Sequence, residues 1–298
     1  MKGGGVPEIH LVSVFIGPDG AGGNPLAVFL DGQAIPPARR LAVTAELGYS
    51  ETVFVDDLAE GRIAIFVPTS ELPFAGHPTV GTAWLLHEIG RPVATLRVPA
   101  GAVPAWRDAQ WTWVRARPRW VDFRVKPNFV QMATATEVDA LPRHTDQPWL
   151  YAWAWLDEGT GRLRARSFPT WAGIDEDEAS GAAAVLMGAA LGRELQISQG
   201  VGSEIVARPG PGGTVEIGGR CNLVEVREYV GHALMEAWGH GRIRGRPPGP
   251  SDLAEDDGRA RVPGQRSASP SSVARRVITL GPERVGPPGG QSAARQSR

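Results

Sequence analysis

Two stretches of this chain are apolar all the way round. From Pro78 to Ile89 the sequence reads PTVGTAWLLHEI, about 12 positions or roughly 18 Å of helix. Pro78 suits the first helical position, where its missing N–H is not needed, and Gly90 suits the stop. About 104 residues later the pattern returns. DEDEASGAAAVLMGAALG, residues 175 to 192, has an acidic lead, a Ser180-Gly181 break, ten consecutive small or apolar residues and a closing Gly192. A helix without a polar face cannot lie with one side in water, so each of these has to be enclosed. Strand-like segments surround both, which predicts two similar halves, each with strands around one buried helix, and a cleft between them.

The strands are legible by composition and by their turns. IHLVSVFI and NPLAVFLD are short apolar runs joined by the glycine-rich GPDGAGG, and SETVFVDD and GRIAIFVP follow. PPARRLAVTAELG reads as a helix opened by proline and closed by Gly48. In the second half DFRVKPNFVQMA, WLYAWAWLD, LRARSFP, SEIVARPG and TVEIGG are strand-like. These segments divide the chain into residues 1–122, residues 123–230 and a tail, 231–298. Within the tail, residues 241–298 hold 11 Arg against 5 Asp or Glu and are rich in Pro, Gly and Ser. Such a composition cannot bury enough apolar surface to offset its ordering entropy, so the tail is expected to be disordered.

Whole-chain numbers narrow the chemistry. A formal charge of -1 gives no global reason to expect a nucleic-acid partner. The longest apolar run, Ala182 to Leu191, has half of the roughly 20 residues a bilayer span requires, so no membrane partner is expected. The opening MKGGGVPEIH lacks the apolar core of a signal peptide, and a cytoplasmic protein is expected. A single cysteine, Cys221, excludes an internal disulfide and a two-thiol site. His10, His87, His144, His232 and His240 show no paired metal-ligand spacing, and no intact GxGxxG or P-loop is present. Neither a metal nor a cofactor is expected. Eight of the ten Trp fall between 106 and 171 and alternate as strand residues do in WTWV and WAW, which points to core and interface packing.

His77 and Gly76 stand at the N-terminus of the first enclosed helix. A helix N-terminus offers unpaired N–H groups and a partial positive charge, and two of them facing one cleft would suit a carboxylate. On that reading His77 guards an anion site. On the other, a histidine ahead of a proline simply caps its helix, and spacing alone does not separate the two.

GGNPLAVFLDG, SETVFV, ELPFAGHPTVGTA and DEDEASGAAA together resemble the motifs of the PhzF-like family, named for the phenazine-biosynthesis isomerase, over about residues 8 to 225. The resemblance implies an α+β fold like that of diaminopimelate epimerase. Its two pseudo-symmetric domains are each a mostly antiparallel, β-barrel-like sheet around a central buried helix, with the active site between them. It also implies a cofactor-free isomerase or epimerase, a homodimer, and a small carboxylated metabolite as substrate.

By the same resemblance, Glu51 in SETVFV matches the catalytic glutamate that takes and returns a proton. His77 in GHPTVGTA matches the active-site histidine, and Asp177 in DEDEASGA the active-site aspartate. Gly76, Gly181 and Ala182 fall where backbone N–H groups would hold the substrate carboxylate. Glu178, Ser180 and Ala182 depart from the family's Asp-Pro-Ala-Thr-Gly-Ser pattern, and Ala182 removes a hydroxyl. A non-catalytic metabolite-binding relative is therefore the alternative.

The chemistry suits these residue types. Taking a proton from carbon needs a base with a pKa raised toward working pH, which a glutamate in a dry cleft can have. Without a metal or thiol, the developing charge falls to helix N-termini and His77. SETVFV also alternates polar and apolar residues, so Glu51 could instead be a solvent-facing strand residue.

Overall fold

In the computed structural model, residues 6–121, 125–143 and 145–231 are described, together with the backbone of 276–277. The first half runs β1 (Glu8–Ile16), β2 (Asn24–Phe29), α1 (Pro37–Leu47), β3 (Glu51–Asp57), β4 (Arg62–Val67), β5 (Ser70–Leu72), α2 (Gly76–Glu88), β6 (Thr95–Val98), β7 (Gly101–Asp108) and β8 (Trp111–Ala116). The second runs β9 (Asn128–Gln131), α3 (Ala135–Asp139), β10 (Leu150–Asp157), β11 (Arg162–Phe168), α4 (Gly181–Leu191), β12 (Leu195–Gln199), β13 (Ser203–Pro209) and β14 (Val215–Glu228). A two-residue β15 (Arg276–Val277) follows.

The pairing order repeats. In the first half β2 and β3 are parallel, β3 and β4 antiparallel, β4 and β6 parallel, then β6, β7 and β8 antiparallel. In the second, β9 and β10 are parallel, β10 and β11 antiparallel, β11 and β12 parallel, then β12, β13 and β14 antiparallel. Parallel neighbours need a crossover, and each crossover here contains a helix. α1 and α3 serve the first parallel pair of each half, and α2 and α4 the second.

Even the hairpins match. Asp57 pairs with Arg62 across a register shift, and Asp157 with Arg162 in the same way. Gly61 and Gly161 take left-handed φ values of 63° and 75°. Their carbonyls accept from Arg97 N at 2.8 Å and Gln196 N at 3.0 Å. The two α+β halves are thus built to one plan.

The last strand ties the halves together. Val215–Gly219 of β14 lies between β8 and β13, and the strand then runs on past the expected TVEIGG to pair Arg220–Glu228 with β1. That return closes β1, β2, β3, β4, β6, β7, β8 and β14 into a ring of eight strands. The expected division at 122/123 falls on residues outside those described. So does the expected disordered tail, apart from Gly231 and β15, whose backbone departs from a structureless tail by pairing antiparallel with β9.

Inside the ring, α2 is buried from Gly76 through Leu86; in the second half, α4 is buried from Gly181 through Gly188 against β13 and β14. Val80, Leu85, Leu86, Val185 and Met187 are shut off from solvent. Each such side chain contributes about 1.5–3 kcal/mol of transfer free energy. α1 instead buries only Arg40, Val43 and Thr44, as a helix on an outer surface does. No helix among the described residues is long and apolar enough to cross a membrane.

Candidate active site

The enclosed helices point their N-termini at each other. α2 starts at Gly76 and α4 at Gly181, and neither N-cap residue, Ala75 or Ser180, caps its helix with a side chain. The first turns therefore keep N–H groups without intrahelical acceptors. In α4 the ladder begins only with Ala184 N bonded to Ser180 O, so Gly181 and Ala182 precede it. A cavity of about 420 Å³, counting the space open at its mouth, lies over this junction. Glu51, His77, Asp177, Gly76, Gly181 and Ala182 all line it. Trp149, Pro169, Trp171 and Ile174 form an apolar wall.

Glu51 is the first residue of β3 and is buried, 9% exposed, which rules out the solvent-facing strand residue. Burial first, and then the charge of Asp177, push its carboxyl up to about 8, against a smaller opposing pull from the Ser50 hydroxyl. Oε2 has no hydrogen-bond partner among the described residues.

His77 stands in the first turn of α2. Nδ1 lies 3.5 Å from Glu51 Oε2 and 3.4 Å from Asn24 Nδ2. The imidazole does not cap the helix, and the capping alternative falls. Asn24 Nδ2 has two hydrogens, and Asp177 Oδ1 and Ala179 O are its nearer acceptors, so this contact leaves open whether the ring proton sits on Nδ1 or on Nε2. Nε2 is buried without a partner among the described residues. Burial lowers the ring pKa to about 3, so the imidazole is neutral at pH 7.

Asp177 is held more fully. Asn24 Nδ2 donates to its Oδ1 at 2.5 Å and to Ala179 O at 3.1 Å, and the Ser180 hydroxyl donates to its Oδ2. Its backbone is fixed by Asp177 N to Ser167 O at 2.9 Å and by Gln199 Nε2 to Asp177 O at 2.8 Å. Burial raises its pKa, while the Ser180 and Asn24 hydrogen bonds favour the charged form. Two buried carboxyls thus sit in unlike surroundings, one well bonded and one with an oxygen left unpartnered, which pushes their roles apart. The neighbouring acids are committed elsewhere. Glu176 forms a two-pronged pair with Arg166 at 2.7 and 2.8 Å, and Glu178 turns to Val201 and Ser203.

Known proteins share this arrangement of the chain. A family described as "Phenazine biosynthesis-like protein" matches residues 12–116. The trans-2,3-dihydro-3-hydroxyanthranilate isomerase of Pseudomonas aeruginosa is 31% identical over 260 residues, which are 74% of this chain and 91% of that protein. The chain belongs to the PhzF-like family. An uncharacterized isomerase of Pasteurella multocida is 39% identical over 107 residues, 34% of this PhzF-like chain and 37% of that protein. The fold agrees with a crystal structure of the Bacillus anthracis phenazine biosynthesis protein of the PhzF family. That match has a TM-score of 0.60 at 18% identity, covering 76% of this chain and 99% of that one.

Several residues around this PhzF-like site carried no role in the sequence. Asn24 is the hub: besides Asp177, Ala179 and His77, its Oδ1 accepts from Ser50 Oγ at 3.0 Å. The signal available was an Asn-Pro pair directly after two glycines at a strand start. Trp149 and Trp171, assigned to packing, lie 6.1 Å apart at the cavity. Cys221 lies outside the site, and burial raises its thiol pKa to about 12. Among the described residues, no group of three His, Cys, Asp or Glu side chains is placed to hold a metal ion.

Proposed function

We propose that the protein is a cofactor-independent isomerase or epimerase that moves a proton between carbons of a small carboxylated metabolite. The observation that carries this reading is the buried Glu51 carboxyl, with Oε2 unpartnered among the described residues and its pKa raised toward neutral pH, at a cavity floored by two helix N-termini. Its relatives' names, isomerases of the PhzF family, support the reaction class.

The substrate carboxylate would lie at the junction of α2 and α4, taking hydrogen bonds from N–H groups of Gly76, Gly181 and Ala182. Ionised Glu51 would take a proton as one C–H bond breaks, and the electron pair would spread into the conjugated acid. The helix ends and the His77 imidazole would stabilise that charge. Protonated Glu51 would then return the proton to another carbon, or to the other face of the same one, with no net gain or loss of atoms. Asp177, whose charged form the Asn24 and Ser180 hydrogen bonds favour against its burial, would when ionised hold the Glu51 pKa high between the two transfers.

Incubation with trans-2,3-dihydro-3-hydroxyanthranilate in deuterated water tests the reading. Solvent deuterium should enter a substrate carbon with the wild-type protein and not with Glu51→Gln. Binding without deuterium uptake would favour the non-catalytic relative, in which the missing hydroxyl at Ala182 marks lost chemistry. The homodimer belongs to the same proposal, and light scattering of the purified chain tests it.

A further inference from the structure

The residue after Asp177 reaches away from the cavity. Glu178 is half-buried and does not line it. Its carboxylate accepts from Val201 N at 2.8 and 3.0 Å and from Ser203 Oγ at 2.8 Å. The Ser203 oxygen accepts in turn from Gly23 N at 2.8 Å, in a buried bond that spans the two halves of the chain. Gly23 immediately precedes Asn24. A path of hydrogen bonds therefore leaves the residue after Asp177 and arrives at the residue before Asn24. The Asn24–Asp177 bond closes it into a ring.

The backbone is shaped to let this ring close. Gly200, at φ 59°, lies directly against the Glu178 carboxylate, where any side chain would collide with it. A Cβ on Gly22 would stand 2.5 Å from both Gly202 C and Ser203 N, and one on Gly17 would stand 2.6 Å from Gly202 O. The 17–23 and 200–203 loops thus touch backbone to backbone. A solvated surface acid needs none of this. Burial raises the Glu178 pKa, and the Ser203 and Val201 bonds offset part of that rise.

We propose that Glu178 is a positioning residue. Its clasp on Val201 and Ser203 holds the 177–180 loop against the Gly23–Asn24 end of β2, and so sets where Asp177 stands relative to Glu51. This rests on Glu51 and Asp177 being the proton-transfer pair described above. A displacement of about 1 Å in such a pair costs about 10²-fold in rate.

The test uses the full-length chain with Glu178→Ala, Glu178→Gln and Ser203→Ala. Amide hydrogen exchange in segments holding residues 22–24, 177–181 and 200–203 should quicken about tenfold in Glu178→Ala, the scale of one lost hydrogen bond. Glu178→Gln keeps an acceptor for Val201 N and should recover most of the protection. The second readout is the titration of the Glu51 carboxyl by carbon NMR, identified by its loss in Glu51→Gln. Loosening Asp177 weakens its charge effect on Glu51, so the midpoint should fall to lower pH in Glu178→Ala and Ser203→Ala and return toward wild type in Glu178→Gln. A merely structural role would lower thermal stability and leave that midpoint alone.

Unchanged exchange in the three segments overturns the clasp, and faster exchange with an unmoved Glu51 midpoint overturns the positioning role. Neither readout needs turnover. Absence of deuterium uptake into trans-2,3-dihydro-3-hydroxyanthranilate by the wild-type protein would count against the isomerase reading alone.

Discussion

Gly76 and Gly181, 105 residues apart in the chain, meet backbone to backbone. A Cβ on Gly76 would stand 2.5 Å from the Gly181 carbonyl carbon, and one on Gly181 would stand 2.7 Å from His77 N. No side chain fits between the two helix ends, so their free N–H groups converge on one small region. That convergence makes an anion site from two elements that each lack any charged residue in the first turn.

Gly76→Ala and Gly181→Ala should therefore force the helix ends apart. Overpacking of this kind costs about 1–3 kcal/mol. Chemical denaturation should show the loss, and calorimetry with anthranilate as a carboxylate probe should show weakened binding. An alanine at either position that leaves both unchanged would contradict the close approach.

Glu51→Gln should lower turnover by about 10²-fold or more, the scale of a lost general acid–base. It should also change how stability depends on pH. The Glu51 pKa is raised on folding, so the native state holds this proton more tightly than the unfolded chain. The sign follows from linkage: between the ordinary glutamate pKa of 4.5 and about 8, this group makes the wild type lose stability as pH rises. Glu51→Gln should gain on the wild type across that window, as melting curves at several pH values would reveal.

His77 should stay neutral far below the usual histidine range. Its pKa is lowered to about 3, so in nitrogen-15 spectra the ring should keep one protonated and one unprotonated nitrogen at pH 5. For stability the sign is opposite to that of Glu51. Between about 3 and 6.5 the unfolded chain binds the extra proton, and stability rises with pH. His77→Gln should flatten that acid limb.

Asn24→Ala should leave Asp177 Oδ1 without its donor and Ser50 Oγ without its acceptor. Unsatisfied buried partners cost about 1–3 kcal/mol. Activity should fall with it, since Asp177 loses a bond that favours its charged form. Asn24→Asp should be worse in turnover than Asn24→Ala, because it brings a third carboxyl to the pair. Parallel melting and turnover measurements on the two variants decide this.

Cys221→Ser should keep most of the activity. The wild-type thiol, with its pKa raised to about 12, should react slowly with iodoacetamide at pH 8. Rapid alkylation would contradict the environment described for it.

The motif residues were legible because local chemistry marks them. GHPTVGTA and SETVFV carry a histidine, two glycines and a glutamate in a string whose spacing is readable without a structure. Asn24 was harder to see, because its partners lie 26 to 155 positions away and nothing in NPLAVF announces them. Glu178 looked like one more acid in DEDE, and only its bonds to Val201 and Ser203 separate it from Glu176, which belongs to Arg166. The internal repeat did leave a trace in the sequence: Asp-x-x-x-Gly-Arg recurs at 57–62 and 157–162. It is short enough to pass unnoticed until both hairpins are seen to bulge at the same place.

From the sequence alone came the enclosed helices, because a stretch dominated by small and apolar residues, with no polar face, has only one stable environment. The strands around them were legible by composition and by their turns, and the two halves by the return of the pattern about 104 residues later. What surrounds Glu51 was a matter for the tertiary structure. Its pKa depends on how much water is excluded and on a charge 126 positions away at Asp177, and neither quantity has a local signature. The return of β14 to β1 is of the same kind: the strand continues because an edge is waiting for its hydrogen bonds, and that edge exists only once the first half has folded.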